Sequence, residues 1–167
     1  MKEFPAVRHV SSDRELTLIL ELIRNSFSYM DSRINPPSSM HRLTLADIAA
    51  KCETGEVWSV GNPVRACVMM TLKEDSLYLS KLAVAETARR TGYARHLVHL
   101  AEWRAIVLGK PYLELQTRIE LTENHVAFTK LGFEKIGEGS HEGYEKPTYL
   151  CMRKSVSISD EDVIVLR

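Results

Sequence analysis

The chain has 167 residues, 44% hydrophobic and 26% charged, which suits one domain built on a hydrophobic core. Its 22 lysines and arginines balance 22 aspartates and glutamates, which argues against a protein that coats nucleic acid, because phosphate binding usually leaves a basic excess. No apolar run approaches the roughly 20 residues that span a bilayer, the N-terminus lacks the apolar core of a secretory signal, and three scattered cysteines without a CxxC argue against a disulfide framework or zinc site. The expectation is a cytoplasmic protein with no nucleic-acid partner, no membrane partner and no metal.

Residues 4–11 read as a first strand. Asp13 is a candidate N-cap for a helix running to about Met30, with Leu16, Ile19, Leu20, Ile23 and Phe27 on one apolar face. Asn35-Pro36-Pro37-Ser38-Ser39 breaks that pattern, and Thr44 can cap a second, short helix ending near Gly55. Strands are expected at about 56–61, 64–73 and 76–85, joined by turns at Gly61-Asn62-Pro63 and Glu74-Asp75-Ser76 as an antiparallel meander. In the third of these the apolar phase slips: Leu77 and Leu79 share one face by alternation, while Leu82 and Val84 share the other. A β-bulge near Ser80-Lys81-Leu82 produces such a slip, and so does a strand buried on both faces.

Gly92-Tyr93-Ala94 opens a long helix with Ala94, Leu97, Val98, Ala101, Ala105 and Leu108 on one stripe, closed by Gly109-Lys110-Pro111. A strand follows at 112–117. Thr122 can cap a helix to Leu131, with Gly132 as C′ and Phe133 as its apolar C″ contact. Strands at 133–138 and 148–154 complete the order β-α-α-β-β-β-α-β-α-β-β, an α/β fold with a mixed, mostly antiparallel sheet flanked by helices. Val163-Ile164-Val165-Leu166 can add a strand or pack on a partner.

The chemistry concentrates between strand end and helix start, in Leu82-Ala83-Val84-Ala85-Glu86-Thr87-Ala88-Arg89-Arg90-Thr91-Gly92-Tyr93-Ala94-Arg95. A helix N-terminus offers unpaired amide hydrogens and the positive end of the macrodipole, and Gly92 lets the backbone approach a ligand. Cations there oppose the dipole, so Arg89, Arg90 and Arg95 suggest an anion; a solvated basic first turn is the alternative.

Arg89-x-x-Gly92-x-Ala94 resembles the Q/R-x-x-G-x-G/A signature of the GNAT superfamily of N-acetyltransferases. Phe128-x-Lys130-Leu131-Gly132-Phe133 resembles the later helix of the same family in order and spacing. The strong match covers about residues 77–154. The resemblance implies an acyl-CoA N-acyltransferase fold over residues 1–156, with 157–167 as a tail that is either an added strand or disordered. It implies acetyl-CoA as co-substrate and transfer to a primary amine by direct attack in a ternary complex; the family often dimerises, and the apolar tail would permit a homodimer here. Its diphosphate would rest on residues 90 to 95, including Thr91 and Tyr93. Pantetheine would pair near Leu82, Ala83 and Val84, with the Val84 amide polarising the thioester carbonyl. Asn124, Phe128 and Lys130 would complete the donor site.

Two family features are missing. The usual tyrosine acid falls at Phe128, which has no proton to give, and the usual strand glutamate falls in a stretch holding Tyr78, Ser80 and Lys81. His141-Glu142-Gly143-Tyr144-Glu145-Lys146-Pro147-Thr148 resembles an H-x-G-Y-x-x-P-T feature of a bacterial subgroup. Tyr144 is thus a candidate acid and His141 a candidate base, each against the alternative of a surface hairpin. Glu114, a third candidate, shares one face of the strand before the short helix with Gln116; either one of them reaches the site or both are solvated. For the acceptor, a small-molecule, peptide or protein amine, the loop 28–39 offers Tyr29, Asp31, Arg33 and Ser38, with Asp31 meeting ammonium and Arg33 a carboxylate; a surface ion pair is the alternative for those two charges. A non-catalytic acyl-CoA sensor remains the second reading.

Overall fold

The computed structural model describes residues 5–157. The elements are β1 (Ala6–Arg8), α1 (Leu16–Phe27), α2 (Leu45–Thr54), β2 (Glu56–Val60), β3 (Ala66–Leu72), β4 (Ser76–Val84), α3 (Tyr93–Val107), β5 (Tyr112–Arg118), α4 (Thr122–Lys130), β6 (Glu134–Gly139) and β7 (Tyr149–Ser155). They form one sheet in the order β1-β2-β3-β4-β5-β7-β6. Every neighbouring pair is antiparallel except β4 and β5, which α3 joins by a crossover. The mixed sheet of the expected fold is present. The apolar segment 163–166 lies outside the described residues.

Two cores sandwich the sheet. Ile19, Leu20 and Ile23 of α1 and Ile48 of α2 pack on one face against Val57, Cys67, Met69 and Ala83. Leu97, Val98, Ala101 and Ala105 of α3 pack on the other, against Val68, Leu77, Leu79, Leu113 and Phe133. Local signals set several boundaries. Thr44 and Asp47 form a reciprocal capping box at α2. At the end of α4, Gly132 (φ 98) lets the Phe133 amide reach the Phe128 carbonyl at 3.0 Å and the Gly132 amide reach Thr129 at 3.0 Å, and Phe133 is buried there.

Three expectations need correction. The first strand is shorter than 4–11. The first helix begins at Leu16 with Glu15 at the N-cap, and the Asp13 carboxylate instead accepts from the Val10 amide and His9 Nδ1, both at 3.0 Å. Buried His9 therefore diverts Asp13 from the helix. Thr122 is the first helical residue of α4 rather than its cap; Leu121 holds that position without a side-chain bond.

Candidate active site

The phase slip in β4 is a bulge. Cys67 pairs with Ala83 and Met69 with Ser80, so Lys81 and Leu82 together oppose Val68. Lys81 takes φ 51 to make it, and its carbonyl accepts the Cys67 thiol at 3.6 Å. The alternative reading also holds, since α1 and α3 cover β4 from both sides. The extra residue keeps Leu82 and Val84 on the α3 core with Leu77 and Leu79.

Beyond the bulge the sheet opens. β4 and β5 pair only from Ser76–Tyr78 to Tyr112–Glu114, whereas β5 stays paired with β7 on its other edge through Arg118. A cavity of about 810 Å³ fills the gap, walled by residues 78–82 of β4, residues 115–118 of β5, Asn124 and Phe128 of α4, and the loop after α1. Past Tyr78 the edge of β4 lacks a strand partner on that side, and unpaired backbone polar groups there call for another partner.

β4 runs directly into the turn that the sequence offers for an anion. A 3-10 turn at Glu86–Ala88 is followed by extended Arg89, left-handed Arg90 (φ 63) and left-handed Gly92 (φ 96) at the N-cap of α3. No side chain caps this helix and no acid lies in its first turn, so the positive end of its dipole is uncompensated. A Cβ on Gly92 would meet nothing within 4 Å, so glycine is needed there for its φ and not for space. Arg90 and Arg95 are exposed beside it.

The sequence model of the acetyltransferase (GNAT) family matches residues 20–133. The chain belongs to the GNAT acetyltransferase family. The solved structures agree on the fold. An acetyltransferase from Streptococcus agalactiae superposes with a TM-score of 0.72 at 14% identity, covering 93% of this chain and 99% of that one. A GNAT family acetyltransferase from Elizabethkingia anophelis, with acetyl-CoA bound, gives 0.66 at 14% identity over 93% and 99%. The ribosomal-protein-S18-alanine N-acetyltransferase from Escherichia coli gives 0.61 at 15% identity over 95% and 98%. Against the curated proteins the chain finds no match.

Within this GNAT framework the donor-side residues divide. Leu82, Asn124 and Phe128 line the cavity, and the Phe128 ring packs edge-on against Phe133 at 5.9 Å. Ala83 is buried under α1, and the Val84 carbonyl accepts the Ser26 hydroxyl at 3.1 Å. The side chain of Arg89 turns away from the helix start: Nη2 donates to the Ser26 carbonyl at 3.2 Å and the guanidinium lies 5.4 Å from the Tyr29 ring. Lys130 is exposed on the last turn of α4, away from the cavity wall.

The loop after α1, expected from sequence to meet the acceptor, lines the cavity mostly through residues not singled out from sequence. Ser38 lines it while capping the 3-10 turn Ser39–Arg42. Tyr29, Asp31 and Arg33 do not line it. Asp31 pairs with His41 Nε2 at 2.7 Å, and both guanidinium nitrogens of Arg33 bind the two oxygens of Glu123. Those hydrogen bonds hold the Glu123 carboxyl down at about 2. Both charges thus sit in surface ion pairs, Arg33 with Glu123 and Asp31 with His41.

Of the proton-handling candidates only His141 reaches the cavity. Its Nδ1 contacts the Thr148 hydroxyl and its ring stands edge-on to Tyr149 at 5.3 Å, which leaves Nε2 for a ligand. Burial first, then the Arg118 charge, lowers its pKa from the usual value. Glu114 sits where β4 and β5 are still paired, outside the cavity wall, and is gripped by Arg153. Tyr144 lies outside the wall and donates to Asn35 Oδ1 at 2.6 Å. Gln116, which shares a strand face with Glu114, does line the wall, while sequence reasoning missed Arg118 and Tyr149 there. It placed Lys81 at the bulge, but saw its side chain, like that of Tyr78, only as a departure from the family; both line the wall.

Proposed function

We propose that the protein is an acetyl-CoA-dependent N-acetyltransferase acting on a primary amine in a ternary complex. The observation that carries this reading is the run of three features along one strand: a bulge at Lys81, a gap toward β5, and an uncapped helix start after Gly92. A diphosphate suits the helix start, and an extended pantetheine suits the unpaired edge of β4 at Leu82 and Val84. Acetyl-CoA supplies an activated acyl carbon and a thiol that leaves.

The amine nitrogen forms the new C–N bond as the C–S bond breaks, so one proton must leave nitrogen and sulfur departs as thiolate. His141 Nε2 takes the proton, directly or through water, because the lowered pKa keeps the ring neutral near pH 7. Thr148 fixes the ring through Nδ1. Phe128 offers no acid, but a thiol leaves tolerably as its anion, and the Tyr78 hydroxyl, pushed up to about 12 by burial, stays protonated in the wall.

The engagement of Glu114 and Tyr144 elsewhere, together with Phe128, favours a second reading as a non-catalytic acyl-CoA sensor. Thiol release from acetyl-CoA across a panel of amines separates the two. Turnover with any amine supports the transferase; tight CoA binding without turnover on any acceptor supports the sensor.

A further inference from the structure

Two cations stand in the acceptor half of the cavity without a carboxylate partner. Lys81, in the bulge, donates Nζ to the Ser39 hydroxyl at 2.6 Å. Arg118, at the end of β5, donates Nη2 to the Pro37 carbonyl at 3.2 Å, while Nη1 is buried with no hydrogen-bond partner. Neither makes a salt bridge among the described residues. Burial lowers the pKa of each, and the Arg118 charge lowers that of Lys81 further.

The nearby carboxylates do not resolve this. Asp31 is held by His41. The Glu120 charge favours the Arg118 cation, but Glu120 makes no salt bridge with it and lies outside the wall, with Oε1 accepting from the Asn35 amide at 3.4 Å and Oε2 buried without a hydrogen-bond partner. Exposed Glu142 is the wall's acid, and Arg42 adds another cation to the wall. Half-buried cations repelling one another and bonded only to neutral oxygens are costly unless an anion joins them.

We propose that the acceptor amine carries a carboxylate, held between Lys81 and Arg118, with its nitrogen directed into the gap between β4 and β5. This rests on the transferase reading. Because Lys81 lies in the bulge, beside the expected thioester, amine and carboxylate must be only a few bonds apart. That fits a free amino acid and not a protein lysine, whose side-chain amine stands far from any carboxylate of its own.

The test uses the full chain saturated with CoA and titrates pairs of ligands by calorimetry: N-acetylated amino acids with varied side chains, each against its primary amide. The acids are expected to bind at least about tenfold tighter than the amides, as one charge-assisted contact would give. Lys81→Met and Arg118→Gln should each erase most of that preference. CoA affinity measured in parallel reports whether each variant is folded, and Lys81→Met leaves the Pro37 contact intact should Arg118→Gln misfold. Equal binding of acids and amides, or no binding by any acid, overturns the proposal. Failure of the transferase reading shows separately, as CoA binding without thiol release from acetyl-CoA on any amine.

Discussion

Tyr144 donates its phenolic hydrogen to Oδ1 of Asn35 at 2.6 Å, joining the loop between β6 and β7 to the loop after α1. The two residues are 109 positions apart in sequence. The bond ties together two loops that also contribute Pro36, Pro37 and His141 to the cavity wall.

Tyr144→Phe is therefore expected to act on positioning. Loss of one hydrogen bond should cost about 1 kcal/mol of stability and raise KM for the acceptor several-fold, with kcat largely kept. Initial-rate kinetics with varied acceptor decide the matter. A fall in kcat with KM unchanged would return Tyr144 to the chemistry.

His141→Gln should lower kcat by about 10²-fold or more, the usual range for a general base. In the wild type, kcat/KM should rise with pH as His141 loses its proton, with a midpoint below the ordinary 6.5 because burial and Arg118 disfavour the charged ring. With the same acceptor, the glutamine variant should lack that acidic limb. A pH profile unchanged by the substitution would assign the base elsewhere.

Gly92 separates backbone strain from charge. Gly92→Ala forces a side chain into φ 96 and should cost about 1–2 kcal/mol of stability, with no clash to add to it. Gly92→Glu adds a carboxylate where a diphosphate is expected and should weaken CoA binding by at least about tenfold beyond the alanine variant. Calorimetric titration with CoA, beside thermal melts of both variants, gives the comparison; equal CoA affinity in both would remove the diphosphate from this turn.

Glu56 predicts an acid-sensitive contribution to stability. Burial alone would raise its pKa, but hydrogen bonds from Arg104, at 2.8 Å to each oxygen, and from Trp58 outweigh that and leave it below the usual 4.5. A depressed carboxyl stabilises the fold above its unfolded pKa and loses that contribution as pH falls through the folded value. Glu56→Gln should cost about 3–5 kcal/mol at neutral pH, since it strands a mostly buried Arg104. The gap between variant and wild type in urea melts should narrow below about pH 4.5. A gap that stays constant with pH would mean that packing, not charge, dominates.

The sequence alone determined the parts whose physics is local. The Thr44 capping box, the glycine-ended helix at Leu131-Gly132-Phe133, the phase slip at Lys81 and the turn at Gly92 each lie within a few residues of chain. Backbone geometry and side-chain alternation act over that range, so the element order, the bulge and the glycine turn that opens α3 were legible. Tertiary structure alone decided which charged and polar groups remain open to a ligand. Asp13 looked like a helix cap until His9 claimed it, and Arg33 looked like a carboxylate anchor until Glu123, 90 residues away, neutralised it. Glu114 met Arg153, while Lys81 and Arg118 were left without acids. An ionisable side chain is used by whichever opposite charge the fold brings within hydrogen-bonding distance, and sequence spacing carries no record of that distance.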